Sequence, residues 1–280
     1  MKYKIEKNTV QETLIIPLYA RKVCSELYPD LYRDETAVRL IGEIDYDFSQ
    51  AEQNARGLMQ RFGSLEVAMR QNDLAFEVRD YLKTHPNAAV VNLGCGLDST
   101  GRACDNGSCS IYNLDFPDVI AVRNELLPAG EREKNIPCDL NDTAWFSQID
   151  ASKGAVFFAS GVFYYFLTEQ VKALVQAMAE AFPGGVLVFD GANRTAVKMI
   201  AKTWLKSAKI QNVGAYFAVT DAPKEIGPWD SRLHVTSRGY MLGYNNLRDP
   251  SVSGFFRFLA RVGDGMMKMQ IVKIRFGGNE

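Results

Sequence analysis

The chain has 280 residues, of which 47% are hydrophobic and 23% are charged. This composition is typical of a soluble globular protein and excludes a disordered or fibrous chain. A formal net charge of −1 supplies no electrostatic drive toward nucleic acid or an anionic membrane. We therefore expect neither of these as a partner.

The N-terminus leads into no signal-type apolar core, and no apolar run reaches 18 residues. A cytoplasmic protein is the resulting expectation. The five cysteines form an odd and irregular set, which we interpret as reduced thiols. No metal site is expected at Cys104 and Cys109, because His85 and His234 lie far apart in the sequence.

The first third of the chain is predicted to be helical. Two short amphipathic helices are expected within residues 12–47, interrupted at Pro29, because the residue before a proline disfavours helix. Another helix is predicted over residues 64–83, where five apolar side chains fall roughly on one stripe. They are Leu65, Ala68, Met69, Phe76 and Leu82. These elements predict a helical cap over residues 1–87.

Short apolar strands begin at residue 88 and carry few charges, which is typical of a parallel sheet. They are predicted at 88–93, 111–114, 135–138, 155–159 and 186–189. Helices separate them, and the clearest has Thr168 as its N-cap. The alternation predicts an α/β fold with a doubly wound, mostly parallel sheet.

The last third of the sequence is less regular. Helical patterns are predicted over 195–208 and from Asp221 onward. Residues 266–276 form a long, partly alternating strand candidate. Its content of Met, Ile and Val predicts an antiparallel strand at the edge of the sheet.

The first two strands border the most informative motif of the chain. The first strand leads into Gly94 and Gly96, and the second ends at Asp115. Two glycines after a strand let the backbone approach a ligand closely, and an acid about 20 residues further on can accept hydrogen bonds from a ribose diol. Gly-x-Gly also occurs in ordinary turns, but the combination predicts a cofactor that contains adenosine.

Asp98 argues against a dinucleotide as that cofactor. A dinucleotide fingerprint needs a third glycine, so that a helix N-terminus can receive a pyrophosphate. This chain has no further glycine until Gly101, and the carboxylate of Asp98 would repel the pyrophosphate. S-adenosylmethionine has no phosphate, carries a positive sulfonium and still offers a ribose diol. It therefore suits the loop better.

Segments on both sides of this motif carry a resemblance to a known family. They are IPLYAR at 16–21, VVNLGCGLDS at 90–99, YNLDFPDVI at 112–120, GVFYYF at 161–166 and DAPKE at 221–225. They resemble the leucine carboxyl methyltransferase family, and within it the bacterial branch of tetracenomycin-type polyketide O-methyltransferases. The resemblance covers most of the chain.

The resemblance implies one class I methyltransferase domain over residues 1–280 that binds S-adenosylmethionine. Its sheet would be Rossmann-like and seven-stranded, with the helical cap over the cofactor. Residues 88–280 would form this core, with substrate-facing insertions around 191–245.

The same resemblance implies contacts with individual parts of the cofactor. Arg70 matches an arginine that pairs with the methionine carboxylate, which a guanidinium fork can bind through two parallel hydrogen bonds. Arg21 matches a basic residue of the cap that reaches the same carboxylate. Gly94 and Gly96 would pass close to the methionine part, and Asp115 would accept hydrogen bonds from both ribose hydroxyls.

Further matches imply an adenine pocket at Asp139 and Leu140, with Phe116 beside the ribose acid. Ser160 is assigned to the cofactor site, although eukaryotic members carry an acid there, so we expect no charged contact at this position. Members that act on protein phosphatase 2A have a lysine followed by Gly-Tyr in the cap, a pattern that this chain lacks. A phosphatase C-terminus is therefore not expected as the acceptor.

The acceptor side is less well indicated. Methyl transfer from a sulfonium depends mainly on alignment in a desolvated pocket and requires no metal. A carboxylate acceptor is already ionised, whereas a phenol would profit from a base, for which His234 is the candidate. The alternative for His234 is a surface or structural histidine. Tyr164 and Tyr165 follow the fourth strand, and at most one is expected to face the acceptor.

Together these patterns predict an S-adenosylmethionine-dependent O-methyltransferase. The expected acceptor is a carboxylate or phenol of a small, apolar or aromatic, polyketide-like molecule. Two alternatives stay open: a non-catalytic, regulatory protein that binds S-adenosylmethionine, and an NAD(P)-dependent oxidoreductase. The sequence does not indicate an oligomeric state.

Overall fold

The computed structural model describes residues 2–5, 10–55, 57–200, 216–244, 247 and 249–277. Among these residues, six elements precede the main sheet. They are β1 (Tyr3–Lys4), α1 (Val10–Leu27), α2 (Glu35–Glu43), β2 (Ile44–Asp45), α3 (Ser49–Ala55) and α4 (Leu58–Thr84). The two strands among them pair in parallel with each other. No described helix combines the length and apolarity that crossing a membrane requires.

Local sequence signals explain the ends of these helices. The chain leaves α1 just before Pro29, and Asp34 caps α2 by accepting a hydrogen bond from the Ala37 amide at 2.8 Å. Helix α4 ends two residues before Pro86. Phe76 is an exception to the predicted apolar stripe of α4, because its side chain is 45% exposed and packs edge to face against Tyr244.

The main sheet has seven strands and confirms the predicted α/β fold. They are β3 (Ala89–Leu93), β4 (Ser110–Asp115), β5 (Glu133–Pro137), β6 (Ala155–Ala159), β7 (Val186–Gly191), β8 (Leu233–Gly239) and β9 (Gln270–Phe276). Their order is β5-β4-β3-β6-β7-β9-β8, and only the two pairs that include β9 are antiparallel.

Two details of the sheet differ from the sequence prediction. Strand β8 was not predicted, since its residues between Leu233 and Gly239 alternate weakly and most of them are exposed. Strand β9 is antiparallel as predicted, but it lies between β7 and β8. The prediction of an edge position was therefore wrong. The apolar residues of β9 reflect its burial between two neighbouring strands.

Six α-helices accompany the strands in the described part of the chain. They are α5 (Thr100–Ala103), α6 (Pro117–Leu126), α7 (Thr168–Ala181), α8 (Arg194–Ile200), α9 (Ala222–Ile226) and α10 (Gly254–Gly265). The N-cap of α7 is Leu167 and not Thr168. The predicted start of a helix at Asp221 is confirmed, and α8 covers the beginning of the predicted helix over 195–208. Positions 201–208 lie outside the described residues.

Alternating strand residues divide the core between the two faces of the sheet. Val90 and Phe158 pack with α4, α8 and α10, whereas Val91 and Phe157 pack with α7 and α9. A third cluster joins α1, α2 and α6 to Leu97, which follows β3. The helical cap thus packs directly on the glycine loop at the end of β3.

Candidate active site

A cavity of about 410 Å³ opens at the carboxyl ends of the parallel strands. Its walls come from α1, α4, the glycine loop after β3, the end of β4 and the turn after β6. The strand order reverses between β3 and β6, and open α/β sheets bind ligands at such a switch point. The volume lies within the range of small-molecule sites, roughly 300–1,000 Å³.

Most of the residues that the sequence assigned to the site lie together in the wall of this cavity. They are Arg21, Arg70, Gly94, Gly96, Asp115, Phe116, Leu140, Ser160, Tyr164 and Tyr165. They come from α1, α4 and the carboxyl ends of four parallel strands. Folding therefore gathers into one cavity residues that are up to 144 positions apart, from Arg21 to Tyr165.

The glycine loop has the backbone conformation that its sequence requires. Gly94 and Gly96 have φ angles of 66° and 45°, in the left-handed region that favours glycine. A Cβ atom on Gly94 would lie 2.6 Å from Cγ2 of Val162, so the loop also packs closely against the turn after β6. The loop thereby exposes its backbone to the cavity.

Asp115 is held at the end of β4 by this loop. Its Oδ2 accepts the Gly96 amide at 2.8 Å, and its Oδ1 accepts the Phe116 amide at 2.8 Å. Burial raises the pKa of Asp115, although both amides oppose that shift. Each carboxylate oxygen has two lone pairs and receives one amide, so the group can still accept hydrogen bonds from a ligand diol.

Arg70 projects from α4 toward the turn after β6. Its Nη1 lies 3.1 Å from Oδ2 of Asp190, whose Oδ1 accepts the Gly161 amide at 2.6 Å. A Cβ atom on Gly161 would lie 3.0 Å from Nη1, so glycine allows the guanidinium to approach. The Nε atom is buried, with no hydrogen-bond partner among the described residues. Because a guanidinium has five N–H donors and Arg70 lines the cavity, the group can donate to a carboxylate as well as to Asp190.

Arg21 makes a different kind of contact. Its Nε donates to Oδ2 of Asp34 at 2.9 Å, and its Nη2 donates to the Leu97 carbonyl at 3.0 Å. The side chain is 5% exposed and its charge is offset by Asp34. Arg21 therefore fastens the helical cap to the glycine loop.

Asp98 connects the same loop to α4. Its Oδ1 accepts the Thr100 amide at 2.9 Å, and Gln71 of α4 donates its side-chain amide to the same oxygen. Asn92 donates to Oδ2 at 3.3 Å. Asp98 lines the cavity at the start of α5, where the phosphate of a dinucleotide would otherwise bind.

His234 does not belong to the site. In the strand register it lies opposite Arg275 of β9, and on the other side of β9 Arg275 lies opposite Val186 at the start of β7. His234 is exposed at the amino edge of the sheet, opposite the edge that holds the cavity. The prediction of His234 as a base was wrong, because β8 runs parallel to β7 and brings its first residues to the far side.

Asp139 also falls outside the cavity wall. Its Oδ1 accepts the backbone and side-chain amides of Asn141, each at 2.9 Å, and the residue is exposed. This carboxylate stabilises the turn after β5, as is common for aspartate in turns. Leu140, the other residue predicted to contact adenine, does line the cavity.

Tyr164 and Tyr165 both line the cavity, which contradicts the expectation that at most one would face it. They lie in a short 3₁₀ helix, Phe163–Tyr165, and not on a strand. Such a helix has about three residues per turn, so two neighbours can project toward one side. Tyr164 is 4% exposed, whereas Tyr165 is 44% exposed.

Several lining residues were not singled out from the sequence. Glu66 and Gln71 come from α4, Tyr240 follows β8, and Met269 precedes β9. Asp190 supports the wall through Arg70. Asp190 lies one residue before the end of buried strand β7, close to where Asp115 lies on β4, and that signal could have identified it. The other four carry no comparable local pattern.

The donors and acceptors of the cavity fit S-adenosylmethionine. Asp115 suits the ribose diol, and the guanidinium of Arg70, which lines the cavity, suits the methionine carboxylate. The carboxylates of Glu66, Asp98 and Asp115 border the same space, which favours a ligand that carries positive charge.

Known proteins resemble this chain in sequence. The family model described as leucine carboxyl methyltransferase matches residues 17–179. The tetracenomycin polyketide synthesis O-methyltransferase TcmP of Streptomyces glaucescens is 28% identical over 182 residues, covering 65% of this chain and 65% of that protein. The match therefore spans just under two thirds of its length. The S-adenosyl-L-methionine-dependent methyltransferase dpfgK of Gibberella zeae is 25% identical, covering 94% of this chain and 92% of that protein.

Solved structures share the fold. A Thermobifida fusca protein provisionally assigned as a methyltransferase superposes with a TM-score of 0.60 at 15% identity, covering 92% of this chain and 94% of the other. The plantazolicin methyltransferase BpumL, solved in complex with SAH, gives a TM-score of 0.52 at 12% identity, covering 95% and 98%. Because the family model matches more than half of its residues, the chain belongs to the leucine carboxyl methyltransferase family of S-adenosylmethionine-dependent enzymes.

Proposed function

We propose that the protein transfers the methyl group of S-adenosylmethionine to an oxygen atom of a small, apolar acceptor, either a carboxylate or a phenol. One observation carries this proposal. A single cavity combines the glycine loop, Asp115 and Arg70 with an aromatic wall formed by Tyr164, Tyr165 and Tyr240. The first set suits the cofactor, and the second suits an aromatic acceptor.

In this proposal the polar residues orient the cofactor. Asp115 accepts hydrogen bonds from the ribose hydroxyls, and Arg70 binds the methionine carboxylate. Asp190 holds the Arg70 guanidinium in position from its other side. Phe116 and Leu140 supply apolar surface for the adenine, and Ser160 borders the methionine part.

Bound S-adenosylmethionine supplies an electrophilic methyl group on a positively charged sulfur. The protein contributes alignment, because an in-line displacement requires the acceptor oxygen, the methyl carbon and the sulfur to lie on one line. The buried phenol ring of Tyr164 and the side chains of Val162 and Phe166 exclude water from that region.

Two further parts of the proposal concern the acceptor and the location of the protein. TcmP, which matches this chain over 65% of its length, is named for polyketide synthesis, and a polyketide-like acceptor would suit the aromatic wall. The proposed location is the cytoplasm, a compartment that keeps thiols reduced, and all five cysteines are free in the structure.

Ligand-induced stabilisation tests the cofactor part of this function. S-adenosylmethionine and S-adenosylhomocysteine should each raise the melting temperature, since a ligand at 100 times its Kd stabilises the folded state by roughly 2.7 kcal/mol. NAD should produce no shift, because Asp98 lies at the start of α5. Stabilisation by NAD alone would contradict the proposal.

Methyl transfer is tested with methyl-tritiated S-adenosylmethionine and a panel of aromatic carboxylates and phenols. The label should enter at least one acceptor with the natural protein. It should not enter any acceptor with Asp115→Ala, which removes the carboxylate proposed to bind the ribose. Cofactor binding without any labelled acceptor would favour a regulatory protein instead.

A further inference from the structure

Three tyrosines among the described residues form the aromatic wall of the cavity, and their hydroxyl groups differ in what they contact. Tyr165 is 44% exposed. Tyr164 is buried beside Asp190: burial raises the pKa of Tyr164 well above its ordinary value, and the charge of that carboxylate and a hydrogen bond to it add to the shift. Tyr240 is 4% exposed, and its hydroxyl makes no hydrogen bond within the part of the chain that the structure describes. Because a buried tyrosine hydroxyl usually has a partner, a ligand in the cavity is the expected partner of Tyr240.

The hydroxyl of Tyr240 lies close to charged groups from three other elements. They are Glu66 and Arg70 of α4, Asp190 near the end of β7 and Asp264 of α10. Burial raises the pKa of Tyr240 well above its ordinary value; Glu66, Asp190 and Asp264 add to this shift and Arg70 opposes it. Tyr240 therefore stays protonated at neutral pH, and its O–H group is a donor whose charge does not change there.

The strand order places Tyr240 on the side of the cavity away from the proposed adenosine site. The glycine loop follows β3 and Asp115 ends β4, whereas Tyr240 follows β8. Strands β6, β7 and β9 lie between β3 and β8 in the sheet. The Tyr240 amide donates to the carbonyl of Met269 at 3.3 Å, and Met269 also lines the cavity. Tyr240 therefore adjoins the region that remains for the acceptor when the cofactor is bound.

Buried acids hold the turn that carries Tyr240 in a strained conformation. Met241 is buried and has a φ of 74°, in the left-handed region that costs energy for a residue other than glycine. Oδ2 of Asp73 accepts the Met241 amide at 2.9 Å, and Oδ2 of Asp264 accepts the next amide, that of Leu242, at 3.2 Å. These acids belong to α4 and α10, so two helices fix the turn. Strained backbone that its surroundings hold so firmly is typical of functional sites.

We propose that Tyr240 binds the methyl acceptor by donating its hydroxyl hydrogen to an oxygen of that molecule, and that Asp73 is a positioning residue that acts through Met241. This inference rests on the proposed function and adds the residue that orients its acceptor. For a carboxylate, the hydrogen bond goes to the oxygen that is not methylated. For a phenol, it goes to a lone pair of the reacting oxygen other than the one that faces the methyl group.

The hydroxyl of Tyr240 suits both acceptor classes of the proposed function. A carboxylate gains more from this donor than a neutral hydroxyl does, because hydrogen bonds to a charged acceptor are stronger. The neighbouring Glu66 does not oppose a carboxylate near neutral pH. Burial raises the pKa of Glu66 to about 8; Arg70 opposes this shift and Asp264 adds to it. The carboxyl group of Glu66 is therefore mostly uncharged at that pH.

Methyl transfer from methyl-tritiated S-adenosylmethionine to 1-naphthoate and 1-naphthol tests the hydrogen bond. For each probe that becomes labelled, Tyr240→Phe should raise KM about tenfold and leave kcat within about twofold, because a contact made equally in the ground state and the transition state changes KM alone. The Kd of S-adenosylhomocysteine, measured by calorimetry, should not change. Tyr244→Phe is the matched control: it removes a hydroxyl that donates to Glu77 at 2.7 Å outside the cavity wall, and KM should stay as in the natural protein.

Substitution of Asp73 tests the positioning of the turn. Asp73→Ala removes the oxygen that accepts the Met241 amide, so KM for the labelled probe should rise about fivefold at an unchanged Kd for S-adenosylhomocysteine. Asp73→Asn keeps a carbonyl oxygen at this place and should bring KM back to within about twofold of the natural value. Tyr240→Phe disturbs no hydrogen bond among the described residues, so it decides the acceptor contact even where Asp73→Ala fails to fold.

The outcomes separate this inference from the proposed function. If the natural protein binds no S-adenosylmethionine or labels neither probe, the proposed function is wrong and the inference fails with it. If methyl transfer occurs, any of three results overturns the role of Tyr240 alone. They are an unchanged KM in Tyr240→Phe, an equal rise of KM in Tyr244→Phe, and weaker binding of S-adenosylhomocysteine by Tyr240→Phe, which would place the hydroxyl on the cofactor. An unchanged KM in Asp73→Ala overturns the positioning role of Asp73.

Discussion

We propose that one part of the cavity, the cofactor half, holds the cofactor and that another part, the acceptor half, holds the acceptor. The two halves differ in how their polar groups are satisfied. In the cofactor half, Asp115 accepts two backbone amides and Arg21 is paired with Asp34. In the acceptor half, Glu66 has no hydrogen bond or ion pair among the described residues. Outside the cavity wall, Oδ1 of Asp264 is buried and also has no partner among them. The polar side chains of the cofactor half are therefore held in place by the protein before a ligand binds. The acceptor half contains a carboxyl group without a partner, which either serves a ligand or lowers the stability of the fold.

Arg70 lies at the boundary between the halves and shares features of both. Its Nη1 is fixed by Asp190, but its Nε has no partner among the described residues. The comparison therefore predicts that substitutions in the cofactor half strongly weaken cofactor binding. Substitutions of the raised-pKa carboxyl groups near the acceptor half should instead change how stability or activity depends on pH.

The largest effect is expected for Asp115→Ala. This substitution removes hydrogen bonds to two hydroxyls, each worth roughly 1.5–3 kcal/mol when the acceptor is charged, so cofactor affinity should fall at least about 100-fold. Calorimetric titration with S-adenosylhomocysteine measures the loss. Asp118→Ala, which removes an exposed acid of α6, is the control and should bind normally. Natural affinity in Asp115→Ala would show that the ribose binds elsewhere.

Gly94→Ala should produce the next largest effect, this time on stability. The added Cβ combines a strained φ of 66° with a clash against Val162, at a cost of about 2–4 kcal/mol in the free energy of unfolding. Gly107→Ala separates the two causes, because Gly107 has a φ of 84° but no atom within 4 Å of an added Cβ. Urea denaturation should show a loss of only about 1 kcal/mol there. Equal losses of stability in Gly94→Ala and Gly107→Ala would show that the side chain of Val162 can move away from the added Cβ at no energetic cost.

Arg70→Ala should weaken cofactor binding by a factor of tens, since it removes a charge-assisted contact worth about 2 kcal/mol and leaves Asp190 without its counter-ion. Asp190→Asn should cause a smaller loss, because it only frees the guanidinium. Both values come from the same calorimetric titration. Arg79→Ala, on the exposed side of the same helix, is the control, and a loss as large as in Arg70→Ala would point to a general effect on α4.

The smallest effect concerns Asp264, whose pKa burial raises to about 7. A raised pKa means that the contribution of this carboxyl group to stability is present below its ordinary value near 3.8 and is lost as the pH rises through about 7. Asp264→Asn cannot ionise. Its melting temperature relative to the natural protein should therefore be higher at pH 8 than at pH 5, by a few degrees.

Asp30→Asn, an exposed site after α1, serves as the control for that titration. Its melting temperature should differ from that of the natural protein by the same amount at both pH values. A constant difference for Asp264→Asn as well would show that Asp264 does not change its charge over this range.

The places of Gly94, Gly96 and Asp115 in the cavity wall could be predicted from the sequence, because their signals are local. Gly94 and Gly96 directly follow an apolar strand, and Asp115 ends the next strand along the chain. Parallel strands bring their carboxyl ends to one edge, so the pattern implies the site. Asp139 was predicted by the same reasoning, but it does not line the cavity. Its carboxylate accepts the backbone amide of Asn141 within the turn after β5.

The acceptor half could not be predicted because its parts have no local signature. In the sequence, Glu66 is one of several charged residues on α4. Tyr240 and Met269 adjoin β8 and β9, which are far from α4 along the chain. His234 was misplaced because the direction of β8 depends on pairing with β9. Such pairings are set by the whole sheet.

The amino-acid sequence by itself determined the strand and helix alternation, the left-handed glycines and the acid that follows them, since each depends on backbone preferences within a few residues. Only the tertiary structure decided which charges remain unpaired, because pairing depends on distances between segments that fold together. Asp190 meets Arg70 across 120 positions, and Glu66 is left without a partner among the described residues beside them.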